Sequence, residues 1–203
     1  MLDKRWPEEG DPWTLRSVTR RFENEWFAVD AHAVTQPGGR EGTYSVIRVR
    51  RLAVGVLPIE ADGRVHLVGQ WRFPLGRYSW EIPEGGAEPG EDAATCARRE
   101  LQEETGLRAE NLTPILEMDL SNSLTDERAV LFLATGLSQG ASQPEEVEVL
   151  QRRTAPFADL LARVIGGQIR DSLTVAAVLR AHHMAVSGEL PADFSRAMLG
   201  ADR

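Results

Sequence analysis

GGAEPGEDAATCARRELQEETGL, residues 85–107, sets a glycine six residues ahead of Glu91. Eight residues later comes the run Arg99-Glu100-Leu101-Gln102-Glu103-Glu104-Thr105-Gly106-Leu107. A helix over 91–104 turns by about 100° per residue, so Glu100, Glu103 and Glu104 fall within one arc of about 100°, because positions three and four apart share a face. Three carboxylates therefore converge on one patch. Ala94, Ala97 and Leu101 form an adjoining apolar stripe that is expected to pack onto a sheet. The small residues Ala93 and Cys96 flank the acidic arc and leave room for a ligand.

Such a patch suits a hard divalent cation. Mg²⁺ and Mn²⁺ take oxygen ligands, keep several waters and recruit a few carboxylates plus substrate phosphates. Clustered glutamates repel one another unless positive charge lies between them. The competing reading is a solvated acidic helix face, which is common for a Glu-Glu pair. That alternative gives no reason for the glycines at 85 and 106.

The nine fixed positions of this stretch resemble the signature of the Nudix hydrolases, which split nucleoside diphosphates linked to another moiety. The resemblance implies an α/β fold, a Nudix-type α/β/α sandwich with a mixed sheet, preceded by N-terminal antiparallel strands. It also implies a Mg²⁺ cofactor, with Mn²⁺ as a substitute, and attack of water on a phosphorus. Matched position by position, Glu100, Glu103 and Glu104 would be metal ligands, with Glu84 a further one through its carbonyl. Arg99 would orient a glutamate by a charge-assisted hydrogen bond, and Glu91 would brace loop and helix. Gly85 would let the backbone approach the metal, and Gly106 would end the helix in the left-handed conformation.

Composition is consistent with an enzyme of one main domain. The 203 residues are 42% hydrophobic, enough for one substantial core. The start MLDKRWPEEGDPW lacks the apolar core of a signal peptide, and no run approaches the ~20 apolar residues of a membrane span. A cytoplasmic protein without membrane attachment is expected. The single cysteine, Cys96, excludes an internal disulfide and reads as a small packing residue. A net charge of -8 argues against nucleic acid as a partner, since that binding depends on clustered Lys and Arg. Arg48, Arg50 and Arg51 alternate with Val49 as on the outer face of a strand.

Strand signals cover 26–34, 42–50, 52–59 and 64–71, with an Asp62-Gly63 turn between the last two. Further strands are expected at 112–120, 129–134 and 146–150. Pro156 suits the first turn of a helix that Gly166-Gly167 stop, and Asp171 is a plausible N-cap for a helix over 172–186. The expected organisation is N-terminal strands over 1–50 as a dimerisation element, a catalytic domain over 51–187 and a tail over 188–203.

The flanks narrow the resemblance. Gln70-Trp71-Arg72-Phe73-Pro74 and Trp80-Glu81-Ile82-Pro83 resemble the approach to the signature in ADP-ribose and nucleoside-diphosphate-sugar pyrophosphatases. The runs at 26–30, 123–127 and 167–172 add looser likeness. The resemblance places Arg72 on a substrate phosphate, Glu81 on a nucleobase or partner subunit, Glu127 on the terminal ribose or a metal-bound water, and Trp26 among the substrate contacts. Purely structural roles stand beside these, with Arg72 snorkelling at a strand end and Glu127 capping the next strand. The general base would come from the acidic loop 143–149, with Glu145 first and Glu146 second. Asn122 stands where the ADP-ribose group carries proline, which keeps GDP-mannose-type and other nucleotide sugars open. A non-catalytic nucleotide-binding module on the same fold is the competing class. A homodimer is implied by family likeness, with Trp6, Trp13, Trp26 and Phe27 available to such a contact or to the chain's own core.

Overall fold

The computed structural model describes residues 10–140 and 150–200. Contacts gather these residues into two units, one of residues up to 50 together with 121–126, the other of 51–120 and 127 onward.

The first unit is an antiparallel sheet in the order β1 (Thr14–Glu23), β2 (Phe27–Thr35) and β3 (Glu41–Val49). The alternating apolar and polar residues of β2 and β3 predict these two strands. β1 is exposed along its whole length and carries Thr, Ser and Arg at positions that a buried strand would fill with apolar residues. At the β1–β2 turn, the Asn24 side chain accepts hydrogen bonds from the backbone N–H groups of Trp26 and Phe27, at 2.9 and 2.8 Å. Asp30, buried on β2, is satisfied by Arg20 through bonds of 2.7 and 3.1 Å. Segment 121–126 docks on β3, where Ile47 donates to the Leu124 carbonyl at 2.9 Å and Val49 to the Asp126 carboxylate at 2.9 Å.

The second unit is built on a mixed four-stranded sheet. β4 (Ala53–Pro58) lies parallel to β9 (Arg128–Gln139) and antiparallel to β7 (Glu84–Gly86), while β8 (Leu107–Asp119) runs antiparallel to β9, giving the order β7-β4-β9-β8. A second, antiparallel sheet orders β10 (Gln151–Pro156), β5 (Arg64–Arg72) and β6 (Arg77–Glu81).

The period of two in β4 and β9 sends alternate side chains to opposite faces. Val54, Val56, Phe132 and Ala134 meet Cys96, Ala97 and Leu101 of helix α1 (Ala93–Thr105). Leu57, Leu131 and Leu133 turn the other way, into the core made with α2 (Phe157–Ile165) and α3 (Ser172–Ser187). Gly55 permits that second layer to close, because a Cβ there would lie 2.9 Å from Leu131 and 3.3 Å from Leu173. Helix, sheet and helices thus form the expected α/β/α sandwich.

Several boundaries differ from expectation. β8 begins at Leu107 and not at 112, because its polar stretch around Glu110-Asn111 is paired with β9 although exposed. β9 continues to Gln139 beyond the expected 134. Most of the strand expected at 146–150 lies outside the described residues. Within α1, Ala94 is exposed and Cys96 takes its place against the sheet, so the buried arc is Cys96, Ala97, Glu100, Leu101, Glu104 and Thr105. Two of the three acids therefore share the inward face. The stretch 188–203, which the sequence leaves as a tail, carries α4 (Ala192–Leu199). Gly63, in the left-handed Asp62-Gly63 turn (φ +81°), lies so close under α4 that a Cβ would fall 2.3 Å from the Ala197 carbonyl oxygen. None of the described helices is long and apolar enough to cross a membrane.

Candidate functional site

α1 is fixed at both ends by side chain and backbone. Asp92 caps it, its carboxylate accepting from the N–H groups of Ala94 and Thr95 at 3.0 Å and from the Thr95 hydroxyl at 2.6 Å, a cap whose loss costs about 1 kcal/mol. At the other end Gly106 adopts φ 76° and donates to the Gln102 carbonyl at 2.8 Å, as its position in the sequence predicts. Full burial of Leu101 on the sheet contributes about 1.5–3 kcal/mol. The acids therefore ride on a held helix.

Arg99 organises them. Its Nη1 donates to Glu100 at 2.7 Å and to Glu103 at 3.0 Å, while Nε and Nη2 donate to the two oxygens of Glu91 at 3.0 and 2.9 Å. Glu91 also accepts from the Glu88 N–H at 2.9 Å, so it ties the loop to the helix. The Arg99 guanidinium holds the Glu91 carboxyl below its ordinary range. Glu104, buried, accepts from the backbone N–H of Glu84 at 3.0 Å, at the start of β7. On the far side, Arg152 of β10 donates to the Glu104 carbonyl at 2.5 Å. Gly85 completes the junction of β7 with α1. A Cβ there would lie 2.1 Å from Glu100 Oε1, so only glycine lets the strand touch that carboxylate.

A second acid group adjoins the first through Glu84. Oxygens of Glu81, Glu84 and Asp171 lie within 4.8 Å of one another. Arg72 donates Nη2 to Glu81 at 2.6 Å and to Glu84 at 2.7 Å, and Nε to Glu81 at 3.0 Å. One oxygen of Glu84 is buried with no hydrogen-bond partner, and burial, reinforced by Asp171 and Glu81, pushes its carboxyl well above the ordinary range. Asp171 caps α3 as its position suggests, accepting from the Thr174 N–H and hydroxyl at 2.8 Å each. These residues line a cleft of ≈ 210 Å³ with Pro74, Leu75, Arg77, Ser79 and Arg170. Sequence reasoning saw Asp171 only as a cap. Nothing local reveals that a residue 90 positions after Glu81 sits beside it.

The donor set fits a divalent cation. The acids gathered at β7 and α1, Glu84, Glu100, Glu103 and Glu104, offer hard carboxylate oxygen, and Glu100 and Glu104 are buried carboxylates of the kind that are stabilised by positive charge close by.

The sequence matches the NUDIX domain family over residues 49–174. The chain belongs to the NUDIX family. It is 33% identical over 160 residues to an ADP-ribose pyrophosphatase of Mycobacterium tuberculosis (strain ATCC 25618 / H37Rv), covering 77% of this chain and 76% of that protein. It is likewise 33% identical over 147 residues to an ADP-ribose pyrophosphatase of Bacillus subtilis (strain 168), covering 71% and 79%. Among solved structures, that of an ADP compounds hydrolase superposes with a TM-score of 0.80 at 21% identity, over 91% of this chain and 100% of that one.

Of the other site residues expected from sequence, Trp26 and Glu127 are described and Glu145 and Glu146 are not. Trp26 belongs to the N-terminal unit, 52% exposed beside the Asn24 turn. Glu127 is half-buried just before β9, where its carbonyl accepts from Leu120 at 3.0 Å. Glu145 and Glu146, the expected bases, lie outside the described residues.

Proposed function

We propose that this NUDIX protein is a Mg²⁺-dependent pyrophosphatase of ADP-ribose or a related nucleoside diphosphate sugar, with Mn²⁺ as a substitute cation. The products are a nucleoside monophosphate and a sugar phosphate. The observation that carries this reading is the α1–β7 junction. There Arg99 gathers Glu91, Glu100 and Glu103, Glu84 holds Glu104, and Gly85 brings backbone against Glu100. The named relatives supply the substrate class.

In this reading Glu100, Glu103 and Glu104, with the Glu84 carbonyl, hold the cation. When bound, it offsets charge on the diphosphate oxygens and makes water easier to deprotonate. The protein's own part is to keep Glu100 and Glu103 in place through Arg99 and Glu104 through the Glu84 N–H, and to take a proton from water. Glu145, with Glu146 second, receives that proton as the water oxygen bonds to phosphorus and the bridging P–O bond breaks. The leaving phosphate carries the bridging oxygen away. Asn122 supports a second reading in which the preferred sugar is not ribose, because its side-chain amide donates and accepts hydrogen bonds and the proline ring does neither. We also infer a cytoplasmic homodimer formed through the N-terminal strands, supported by the exposed Trp13, Leu15, Val18 and Phe22.

A panel of nucleotide sugars, assayed by product mass with and without Mg²⁺, tests the reaction. Metal-dependent release of a nucleoside monophosphate is expected, and Glu104→Gln should lower kcat by at least about 100-fold with an unchanged circular dichroism spectrum. Absence of metal-dependent turnover of every panel member would refute the proposal.

A further inference from the structure

We propose that Arg152 is a positioning residue for Glu104, so that β10 sets how tightly α1 holds its cation. This assignment rests on the reading of Glu104 as a cation ligand and deepens it.

The last turn of a helix leaves carbonyl groups without an intrahelical partner. In α1, Thr105 Oγ1 donates to the Leu101 carbonyl and the Gly106 N–H to that of Gln102. The Glu104 carbonyl is reached from outside, by Nε of Arg152 at 2.5 Å, 48 residues further along the chain. Glu104 is only 4% exposed, so water is a poor substitute for that donor. The guanidinium also sets positive charge at the negative end of the helix dipole.

Alternation along β10 aims the side chain. Arg152 pairs with Val68 on β5, and Val68 with Glu81 on β6; directly opposed residues of a sheet share a face. Val68 is fully buried and Glu81 nearly so, so one rung of the sheet carries both the tether to Glu104 and a buried acid of the cleft. Arg153, one residue on, points the other way, and its guanidinium lies 4.8 Å over the Trp80 ring. Adjacent arginines therefore grip opposite sides of β10. One contact fastens the strand, and the other carries that fixed position to α1.

Glu104 is thus held from two directions. Its carboxylate accepts from the Glu84 N–H at 3.0 Å on the β7 side, and its carbonyl accepts from Arg152 on the β10 side. The two anchors fix side chain and main chain of one residue, in the terminal turn where helices fray. Glu100 lies a turn earlier and takes its bond from Arg99, so loss of Arg152 acts on Glu104 selectively. A partner that orients a ligand without touching the metal changes metal affinity by about ten- to a hundredfold.

The test measures Mn²⁺ binding to the full-length protein without substrate, by electron paramagnetic resonance, beside circular dichroism melts. Arg152→Ala should weaken Mn²⁺ affinity by about tenfold, and Arg152→Lys, which keeps a charged donor, should recover part of the loss. In a Glu104→Gln background Arg152→Ala should change Mn²⁺ affinity by less than about twofold, because the residue through which it acts is gone. A general loosening of the fold would instead lower affinity equally in both backgrounds. Arg98→Ala breaks a bond of the same kind, from α1 to the Ala109 carbonyl at 2.9 Å, and should leave Mn²⁺ affinity unchanged. With Mg²⁺ present, Arg152→Ala should raise the cation concentration for half-maximal rate, with KM for ADP-ribose changed less than about threefold. Unchanged Mn²⁺ affinity in Arg152→Ala, or an equal loss in both backgrounds, overturns the proposal. Glu104→Gln without effect on Mn²⁺ would refute the cation reading itself, whereas a protein that binds Mn²⁺ as expected and hydrolyses no nucleotide sugar would refute the pyrophosphatase reading alone.

Discussion

Gly85→Ala isolates the contact on which the acid arrangement depends. Gly85 is not among the glycines with positive φ, so alanine is compatible with its backbone and the whole effect arises from one added methyl. That methyl carbon would lie 2.1 Å from Glu100 Oε1, 2.2 Å from Cδ and 2.5 Å from Oε2, where ordinary contact begins at 3.4 Å. The carboxylate must retreat by about 1.3 Å, and a misplacement of about 1 Å can cost ~10²-fold in rate. Retreat also stretches the 2.7 Å bond from Arg99 to the same oxygen, a charged hydrogen bond worth about 1.5–3 kcal/mol. The expected phenotype is a folded protein that melts lower, turns over about 100-fold more slowly and requires more Mg²⁺ for half-maximal rate. Adding Glu100→Asp, which withdraws the carboxylate by one methylene or about 1.5 Å, should restore part of the lost melting temperature. Circular dichroism melts and turnover against Mg²⁺ concentration read both effects. Wild-type turnover and metal saturation in Gly85→Ala would refute the reasoning.

Three further outcomes are expected. Leu101→Ala, which empties a fully buried position beneath α1, should cost about 2–5 kcal/mol in guanidinium unfolding; a cost below 1 kcal/mol would show that the helix does not depend on this contact. The Cys96 thiol, pushed up to about 12 by burial with Glu100 adding to it, should resist iodoacetamide at pH 8 until the protein is denatured, and rapid labelling of native protein would contradict that burial. Glu189, lowered from 4.5 to about 2 chiefly by Arg180 and Ser187, has a depressed folded value, so its stabilising contribution is complete above pH 4.5 and disappears as pH falls to about 2. The stability gap between wild type and Glu189→Gln should close over that window, and a gap that persists at pH 2 would reverse the assignment.

The sequence was legible where local chemistry decides structure. α1 shows its acids at helical spacing and its stop at Gly106, and β4 and β5 show apolar content around an Asp-Gly turn. It was less legible where tertiary contact decides. Ala94 and Cys96 are both small, and only docking on β4 and β9 selects the second for the core. β6 and β7 are short and interrupted by Pro83 and paired glycines, so propensity alone does not announce them. α4 has eight residues and mixed polarity, and it is held by packing over Gly63. At the candidate site, the signature implies that Arg99 orients a glutamate and that Glu91 braces loop and helix, because both sit within one turn-and-helix unit; that these two residues bond each other is seen only in the fold. The signature does not imply the gathering of Glu81, Glu84 and Asp171, since it joins a strand end to the start of a helix far along the chain.

Glu84 gives the two clusters a common joint. Its main-chain N–H grips Glu104 while its carboxylate meets Arg72 at the cleft. A ligand that tugs on the carboxylate transmits force through a single residue to the acid on α1. Linkage makes such coupling symmetrical: whatever factor a filled cleft imposes on cation affinity, the cation must return on affinity for the cleft's occupant.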